Sequence, residues 1–571
     1  MEIKKMFCYP DEAEVEKLSV DANISKLEAS IFINRGINTP KEVEVFMDKN
    51  ISSLHNPLEM KDSRVAADTI CKHIRADNHI VLYSDYDADG WGAAVVGHKM
   101  FTKMGAKIDI FTNIRDMGYG AKPEGIDMIL EKWPDTKLIV TADNGIVAYE
   151  AIDYAISKGI EVVVTDHHQP ASDGVLTNAT ANVNPHRQDD EYPCKALCGA
   201  AVLWKVLSIC YVMMGIPSPM AYELLDVVAV ATVADVVPLV DENRIIVRHG
   251  LKMISDDSRP QWKAFKKVFG DFKPIITVDT RTISFSFGPG INAMSRMKGT
   301  IREVIDMFTG SHNEDELMAI AERIKSVNEE RKVITKDYTN AAMIMADARD
   351  DLPVLVLNHE ELFEGVVGLV AGRVRETVNK PTIVLTKDEN GNWRGSGRSI
   401  DGFPIKDVLD DIQNEKPIIM TYGGHAQACG LTIADENLKE FTDMMIERAS
   451  KLPEEAFIRK INVDYVIREG EMNNNIFDII RNLEPYGNSF EDVTIMVRDI
   501  YPKEVRTMGS NQQHVSFKCN GFTITSWYGA CNVDMERVDD IVSVSAVGRL
   551  ERDDWGIKLF ADPTEFIVEY A

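Results

Sequence analysis

No apolar stretch of membrane-spanning length runs unbroken through these 571 residues. The nearest, 224–240, carries Asp226 and Asp235, so it is not read as a transmembrane helix. The opening seventeen residues, MEIKKMFCYPDEAEVEK, are charged early and hold no apolar signal core, which leads us to expect a cytoplasmic protein without membrane association. Cysteine is scarce: eight are scattered, and the closest pair, Cys194 and Cys198, has three residues between them. Neither a zinc site nor a disulfide framework follows from that spacing, and reduced thiols are expected. There is no GxxxxGK[ST] loop, no internal repeat and no low-complexity tract, so ATP hydrolysis is unsupported. Base is the minority charge, 63 Lys and Arg against 90 Asp and Glu, for a net charge of −27. That total argues against nucleic acid, yet binding needs only a local groove. Between Arg244 and Arg302, twelve basic residues face four acidic ones.

What is present is organised by period. Residues 1–55 look helical and polar, and NTPKE (38–42) offers Thr39 as N-cap, Pro40 at the first helical position and Glu42 to close a capping box. From 56 to 250, helices alternate with apolar strands, an α/β pattern with a parallel sheet. Residues 251–347 read as a helical connector. It ends in one long helix over 313–347, with Leu317, Ile320, Ile324 and Val327 on one face and a reach of roughly 50 Å. Residues 348–455 return to α/β, with a hairpin turn at Asn390-Gly391. Residues 456–571 alternate in short strands and suggest a small barrel.

Acids recur where the strands stop. VLYSDYDADG puts Asp85, Asp87 and Asp89 after an apolar run. KLIVTADNG ends at Asp143, EVVVTDHH at Asp166, His167 and His168, and VVAVATVADVVPL, whose length suggests a helix, is interrupted by Asp235. A single such Asp is usually an N-cap or turn residue. Open α/β sheets, however, bind ligands at the carboxyl ends of their strands. Six acids and two imidazoles gathered there would repel one another unless cations held them. That donor set suits Mg²⁺ or Mn²⁺, and two such ions about 3.5–4 Å apart serve phosphoryl hydrolysis. Asp166 can instead orient its neighbouring histidines, and Asp226 can act behind the ligands in the same way.

DYDADG, TADNG, TDHH and VAD resemble the four motifs of the DHH phosphoesterase superfamily. GSGRS (395–399) and YGGHAQACG (422–430) resemble its DHH-associated domain. RDMGYG (115–120), NPHR (184–187), LCGAA (197–201), GINAMSRM (290–297), EGVVGLVAGR (364–373) and LEPYGNS (483–489) follow the order of the RecJ exonuclease family. The resemblance implies a parallel-sheet DHH domain, a long connecting helix, a second α/β domain and a C-terminal OB-fold-like β-barrel. It also implies a 5′→3′ exonuclease that releases mononucleotides from single-stranded DNA, with RNA left possible. Two divalent cations would be held by Asp85, Asp87, Asp89, Asp143, His167 and Asp235, with His168 and Asp166 as catalytic residues. Arg115, Tyr119, Arg296, Ser396 and Arg398 would hold substrate phosphate, and Gly423, Gly424 and His425 would line the same cleft from the second lobe.

The chain departs from the family at Gly290, where Arg is common, and at Phe363-Glu364-Gly365, where His-Pro-Gly is common. In the barrel, Trp527 is the candidate for base stacking, ahead of Phe517, Phe522 and Tyr528. A monomer is expected, with replication or repair proteins such as a helicase or single-strand-binding protein as partners. The alternatives are a DHH oligoribonuclease or cyclic-dinucleotide phosphodiesterase, which needs no barrel, and a replication scaffold, which needs no metal ligands. Because every candidate ligand precedes residue 240, a chain ending near Lys460 is expected to keep cleaving very short oligonucleotides.

Overall fold

A computed structural model describes residues 5–114, 117–118, 120–171, 173–270, 273–468, 470–553 and 556–571. The chain divides into two compact units: Cys8–Ser295 with Gly299–Glu322 and Asn462–Ala571, and Met1–Phe7 with Arg296–Lys298 and Arg323–Ile461.

In the larger unit, five strands form a parallel sheet in the order Lys107–Thr112, His79–Ser84, Thr136–Ala142, Glu161–Thr165, Ala181–Val183. Their near-continuous apolar runs are those of strands covered on both faces. Val81, Tyr83, Ile139, Val162 and Val164 meet Ile126, Ile129 and Ile152 from the helices Pro123–Lys132 and Tyr149–Ser157. The chain order reverses between His79–Ser84 and Thr136–Ala142, so the crevice opens where Asp85 and Asp143 leave the sheet.

Much of the segment read as a helical connector packs into this unit. Trp262, Phe265, Phe287 and Phe308 cluster with Trp91 of the helix Ala88–Lys103, with Trp91 and Phe308 centroids 5.0 Å apart. The run 225–234 is a helix, as its length suggested. Thr39 and Glu42 form the expected capping box.

Near the C-terminus a seven-stranded mixed sheet runs in the order Tyr465–Ile467, Ile495–Ile500, Ile541–Asp553, Gly556–Tyr570, Phe522–Ser526, His514–Lys518, Glu504–Met508. Its core is shared with the N-terminal helices: Leu18, Leu27, Phe32, Val43 and Phe46 are buried with Ile495, Val497, Phe517 and Phe490.

The smaller unit holds a second sheet, ordered Ile419–His425, Ala428–Ile433, Trp393–Arg398, Thr382–Lys387, Leu355–Asn358, and antiparallel except for its last pair. Gly391 takes the left-handed turn between two of these strands (φ 81°). The long helix spans Glu314–Asp347 and buries Leu317, Ile320 and Ile324. No described helix is long and apolar enough to cross a membrane.

Candidate metal centre

Each ligand candidate is aimed by the element that carries it. Asp87 caps the helix Ala88–Lys103, accepting from the N–H groups of Asp89 (3.0 Å) and Gly90 (3.1 Å). Asp89 accepts from the N–H of Gly199 (2.6 Å) and of Ala200 (2.9 Å), at the start of the helix Gly199–Met213. Its charge therefore meets the positive end of a helix dipole. Asp143 sits in a left-handed turn (φ 61°) directly after its strand. Asp235 follows the last turn of the helix Leu225–Ala234.

These side chains converge. Three groups, Asp85/Asp87/Asp143, Asp143/His167/His168 and Asp89/His167/Asp235, each bring ligand atoms within 4.8 Å of one another. Asp143 and His167 are shared between groups. His167 Nε2 stands 3.1 Å from Asp143 Oδ1, 3.6 Å from Asp89 Oδ2 and 3.6 Å from Asp235 Oδ2. Burial, with the neighbouring carboxylates, pushes the carboxyls of Asp85, Asp143 and Asp235 well above the usual range. Burial also pushes His167 down, leaving a neutral ring able to donate a lone pair. Asp85 Oδ1 and His167 Nε2 are buried without a hydrogen-bond partner among the described residues. Oxygen donors with one imidazole, crowded and under-satisfied in this way, fit a pair of hard divalent cations.

Asp166 is differently placed. Its Oδ1 accepts from the N–H of His167 (2.7 Å) and of His168 (3.1 Å) and lies 2.8 Å from His168 Nδ1, while Oδ2 accepts from Ile146 N–H (2.9 Å). Burial raises its carboxyl, but the His168 hydrogen bond and charge, with the Ile146 N–H, outweigh this and hold it below the usual range. The same contact raises His168, against the lowering effect of burial. Asp166 thus has the geometry of an orienting residue. Asp226, also considered as a support for the ligands, serves elsewhere: it accepts from Arg259 Nε (2.7 Å), Ser258 Oγ (2.9 Å) and Trp262 Nε1 (2.8 Å).

Several supports carried no chemical signal in the sequence. A Cβ on Gly199 would lie 2.5 Å from Asp143 Cβ, so only glycine lets that helix approach. Asn184 of NPHR donates to His168 O (2.8 Å), and Asn292 of GINAMSRM accepts from Ala88 N–H (2.9 Å).

The remaining candidates belong to other segments of the chain. Arg115 and Tyr119 fall outside the described residues. In the smaller unit, Ser396 and Arg398 share one sheet face: Arg398 donates to Ser396 Oγ (2.7 Å), and its guanidinium lies beside Gly368 of the helix Glu364–Val378. Arg296 donates to Gly365 O (3.1 Å). Gly423, Gly424 and His425 end an exposed hairpin strand. Gly290 is buried in the helix Gly288–Lys298, and Phe363 precedes the helix Glu364–Val378.

The basic stretch is only partly a surface. Arg244 is buried with its guanidinium 3.8 Å from the Phe46 ring centroid, and burial lowers it to about 9. Lys266 is buried on Ser255 O, and Arg259 is spent on Asp226. Arg248, Lys252 and Arg281, with Arg549 and Arg552 of the barrel, line a groove of about 710 Å³ that also holds Asp256 and Asp279. Phe517 and Phe522 are core residues, whereas Trp527 and Tyr528 are 49% and 68% exposed. Trp527 lies parallel to Phe560, over whose ring Arg549 sits.

Comparison with known proteins agrees with this arrangement. The DHH family N-terminal domain matches residues 79–232, the DHHA1 domain 351–451 and the RecJ OB domain 463–558. The single-stranded-DNA-specific exonuclease RecJ of Bacillus subtilis (strain 168) is 31% identical over 511 residues, 89% of this chain. The chain spans 63% of that relative's length. A crystal structure of RecJ with Mn²⁺ from Thermus thermophilus superposes over the whole chain and 80% of its own, with a TM-score of 0.81 at 22% identity, and shares the fold. A crystal structure of exonuclease RecJ bound to manganese matches 69% of this chain and 96% of its own, with a TM-score of 0.58 at 26% identity. The chain belongs to the DHH phosphoesterases, within the RecJ family.

Proposed function

We propose that this protein is a metal-dependent exonuclease that hydrolyses phosphodiester bonds of single-stranded DNA, working 5′→3′ and releasing mononucleotides. The observation that carries the reading is the set of three overlapping ligand groups joined by Asp143 and His167. A scaffold would not need it, since burying that many carboxylates costs stability unless cations are bound. Asp85, Asp87, Asp89, Asp143, His167 and Asp235 would hold two Mn²⁺ or Mg²⁺ ions. When bound, the pair would neutralise charge on the phosphoryl oxygens and supply an activated water.

The rest falls to the chain. Asp166 fixes the ring of His168 and favours its protonated form, which suits it to hold the scissile phosphate or to protonate the leaving oxygen. Arg398 and Ser396 form a compact donor pair for a terminal phosphate, and the RecJ resemblance assigns that phosphate to the 5′ end. Trp527 and Tyr528 offer faces for unpaired bases. The RecJ OB match speaks for a strand longer than a dinucleotide. We place the protein in the cytoplasm as a monomer, with replication or repair proteins as partners.

The test is brief digestion with Mn²⁺ of strands labelled at either end. Label should leave the 5′ end first, duplex should resist, and Arg398→Ala should reduce the preference for a 5′-phosphate over a 5′-hydroxyl. Release from the 3′ end would overturn the polarity and leave the phosphodiesterase reading standing.

A further inference from the structure

We infer that Asn488, between the first two strands of the C-terminal sheet, positions Asp235 by holding the turn that follows it. The barrel half of the larger unit thereby shapes the metal centre. The inference rests on reading Asp235 as a metal ligand. Asp235 is anchored on its N-terminal side by the helix, its N–H donating to Ala231 O (2.9 Å). On its C-terminal side the chain must leave that helix at once, and Val236 does so with φ 60°. A β-branched residue there is a true outlier, since glycine or asparagine usually ends a helix in this conformation. Such a conformation persists only where the surroundings impose it.

Asn488 is the restraint. Its Nδ2 donates to Val236 O (2.6 Å), and its carbonyl accepts from Leu239 N–H (2.8 Å). The two bonds bracket the turn. The neighbouring Gly487 keeps the approach close, because a Cβ there would lie 2.5 Å from Leu239 Cδ1. The segment is itself fastened from the catalytic side. Arg244 donates to Pro485 O (2.7 Å) and to Leu483 O, Arg248 to Glu484 O, and Thr280 Oγ1 to Tyr486 O (2.6 Å). LEPYGNS therefore accepts five hydrogen bonds from the catalytic side, that of Leu239 N–H among them, and donates one back to the loop beside Asp235. Val236 is 63% exposed, so its fit in the core does not explain the turn.

Mn²⁺ affinity of the full chain without substrate, read from the free-ion signal in electron paramagnetic resonance, is the direct measure. Asn488→Ala should weaken one class of site by about tenfold, the range of supports behind metal ligands. It should lower kcat for a short single strand while leaving KM in place. Val236→Gly in the same background, which removes the φ penalty, should restore the affinity. Asp235→Asn is the control: if it leaves Mn²⁺ binding untouched, the metal reading of Asp235 fails. If Asp235→Asn weakens binding and a folded Asn488→Ala does not, the positioning role is overturned and the metal reading stands. Should Asn488→Ala unfold the chain, Asn488→Asp decides the same question, since at the same size it turns the donor to Val236 O into a repelling acceptor. Wild-type affinity in that variant overturns the inference.

Discussion

Asp85 and Asp143 are buried and Asp235 is half-buried in one cluster of acids, and this makes the metal-free protein sensitive to pH. Their folded-state carboxyls are raised first by burial and then by neighbouring carboxylates, Asp87 among them in each case. The folded chain therefore binds more protons than the unfolded chain at intermediate pH. Stability must then fall as pH rises from the ordinary carboxylate range through the raised values. In the presence of a chelator, Asp85→Asn should flatten that decline and raise the melting temperature at neutral pH, while abolishing hydrolysis. Melting curves across pH with and without Mn²⁺ check this; a variant no more stable than wild type under chelation would mean that the repulsion is already relieved. The same crowding made the site legible in the sequence. Three acids after one apolar run and a further acid after each of three others are hard to explain as turn residues alone. Roles set by depth were not legible. Asp226 and Asp235 bracket one helix, yet Asp226 is consumed by Arg259 and Trp262. Arg244, counted with a basic groove, is instead packed between Phe46 and Phe490. A charge count cannot see burial, because partners that neutralise a charge come from distant parts of the chain.

At the level of elements, strand ends carry most of the ligand candidates, a helix end carries Asp235, and a helix start holds Asp89. The sequence showed the strands through their apolar runs and the helices through caps such as Thr39. It did not show that the helix Gly199–Met213 starts against Asp143 and Asp89, since no periodicity reports which helix end meets which strand end. That meeting is specific to glycine. Gly199→Ala would put a methyl 2.5 Å from Asp143 Cβ and 2.8 Å from its Oδ1. The helix must then shift, and the N–H pair that holds Asp89 shifts with it. We expect a folded protein whose Mn²⁺ affinity falls by about tenfold or more, with turnover reduced further, because a misplacement near 1 Å is costly to catalysis. Circular dichroism with Mn²⁺ titration separates this from unfolding; unchanged affinity would show that the ligand shell absorbs the shift.

Across the whole molecule, the positions of the ligand candidates do not measure what the chain beyond Lys460 contributes. All six candidates precede residue 240, which suggested that the chain beyond Lys460 could be removed without harm to the chemistry. The structure argues otherwise on two independent grounds. The core of the barrel is also the core of the N-terminal helices, so truncation would expose Phe32, Phe46, Leu18 and Leu27 together. Each large apolar side chain so exposed forfeits about 1.5–3 kcal/mol of burial, and a few of them rival the net stability of a domain. Truncation would also remove Asn488 and free the turn at Val236, while leaving Arg244 buried without the two carbonyls it donates to. An unpaired guanidinium left in an apolar site is destabilising beyond the loss of packing. A chain ending at residue 461 should therefore fail to cleave even a trinucleotide and should expose apolar surface to a hydrophobic dye. The intact larger unit should melt in one transition, with no early loss of the barrel. If the shortened chain is soluble and cuts trinucleotides at the full rate, the barrel is an appendage for long strands, and the contacts at 236–239 are incidental to the metal centre.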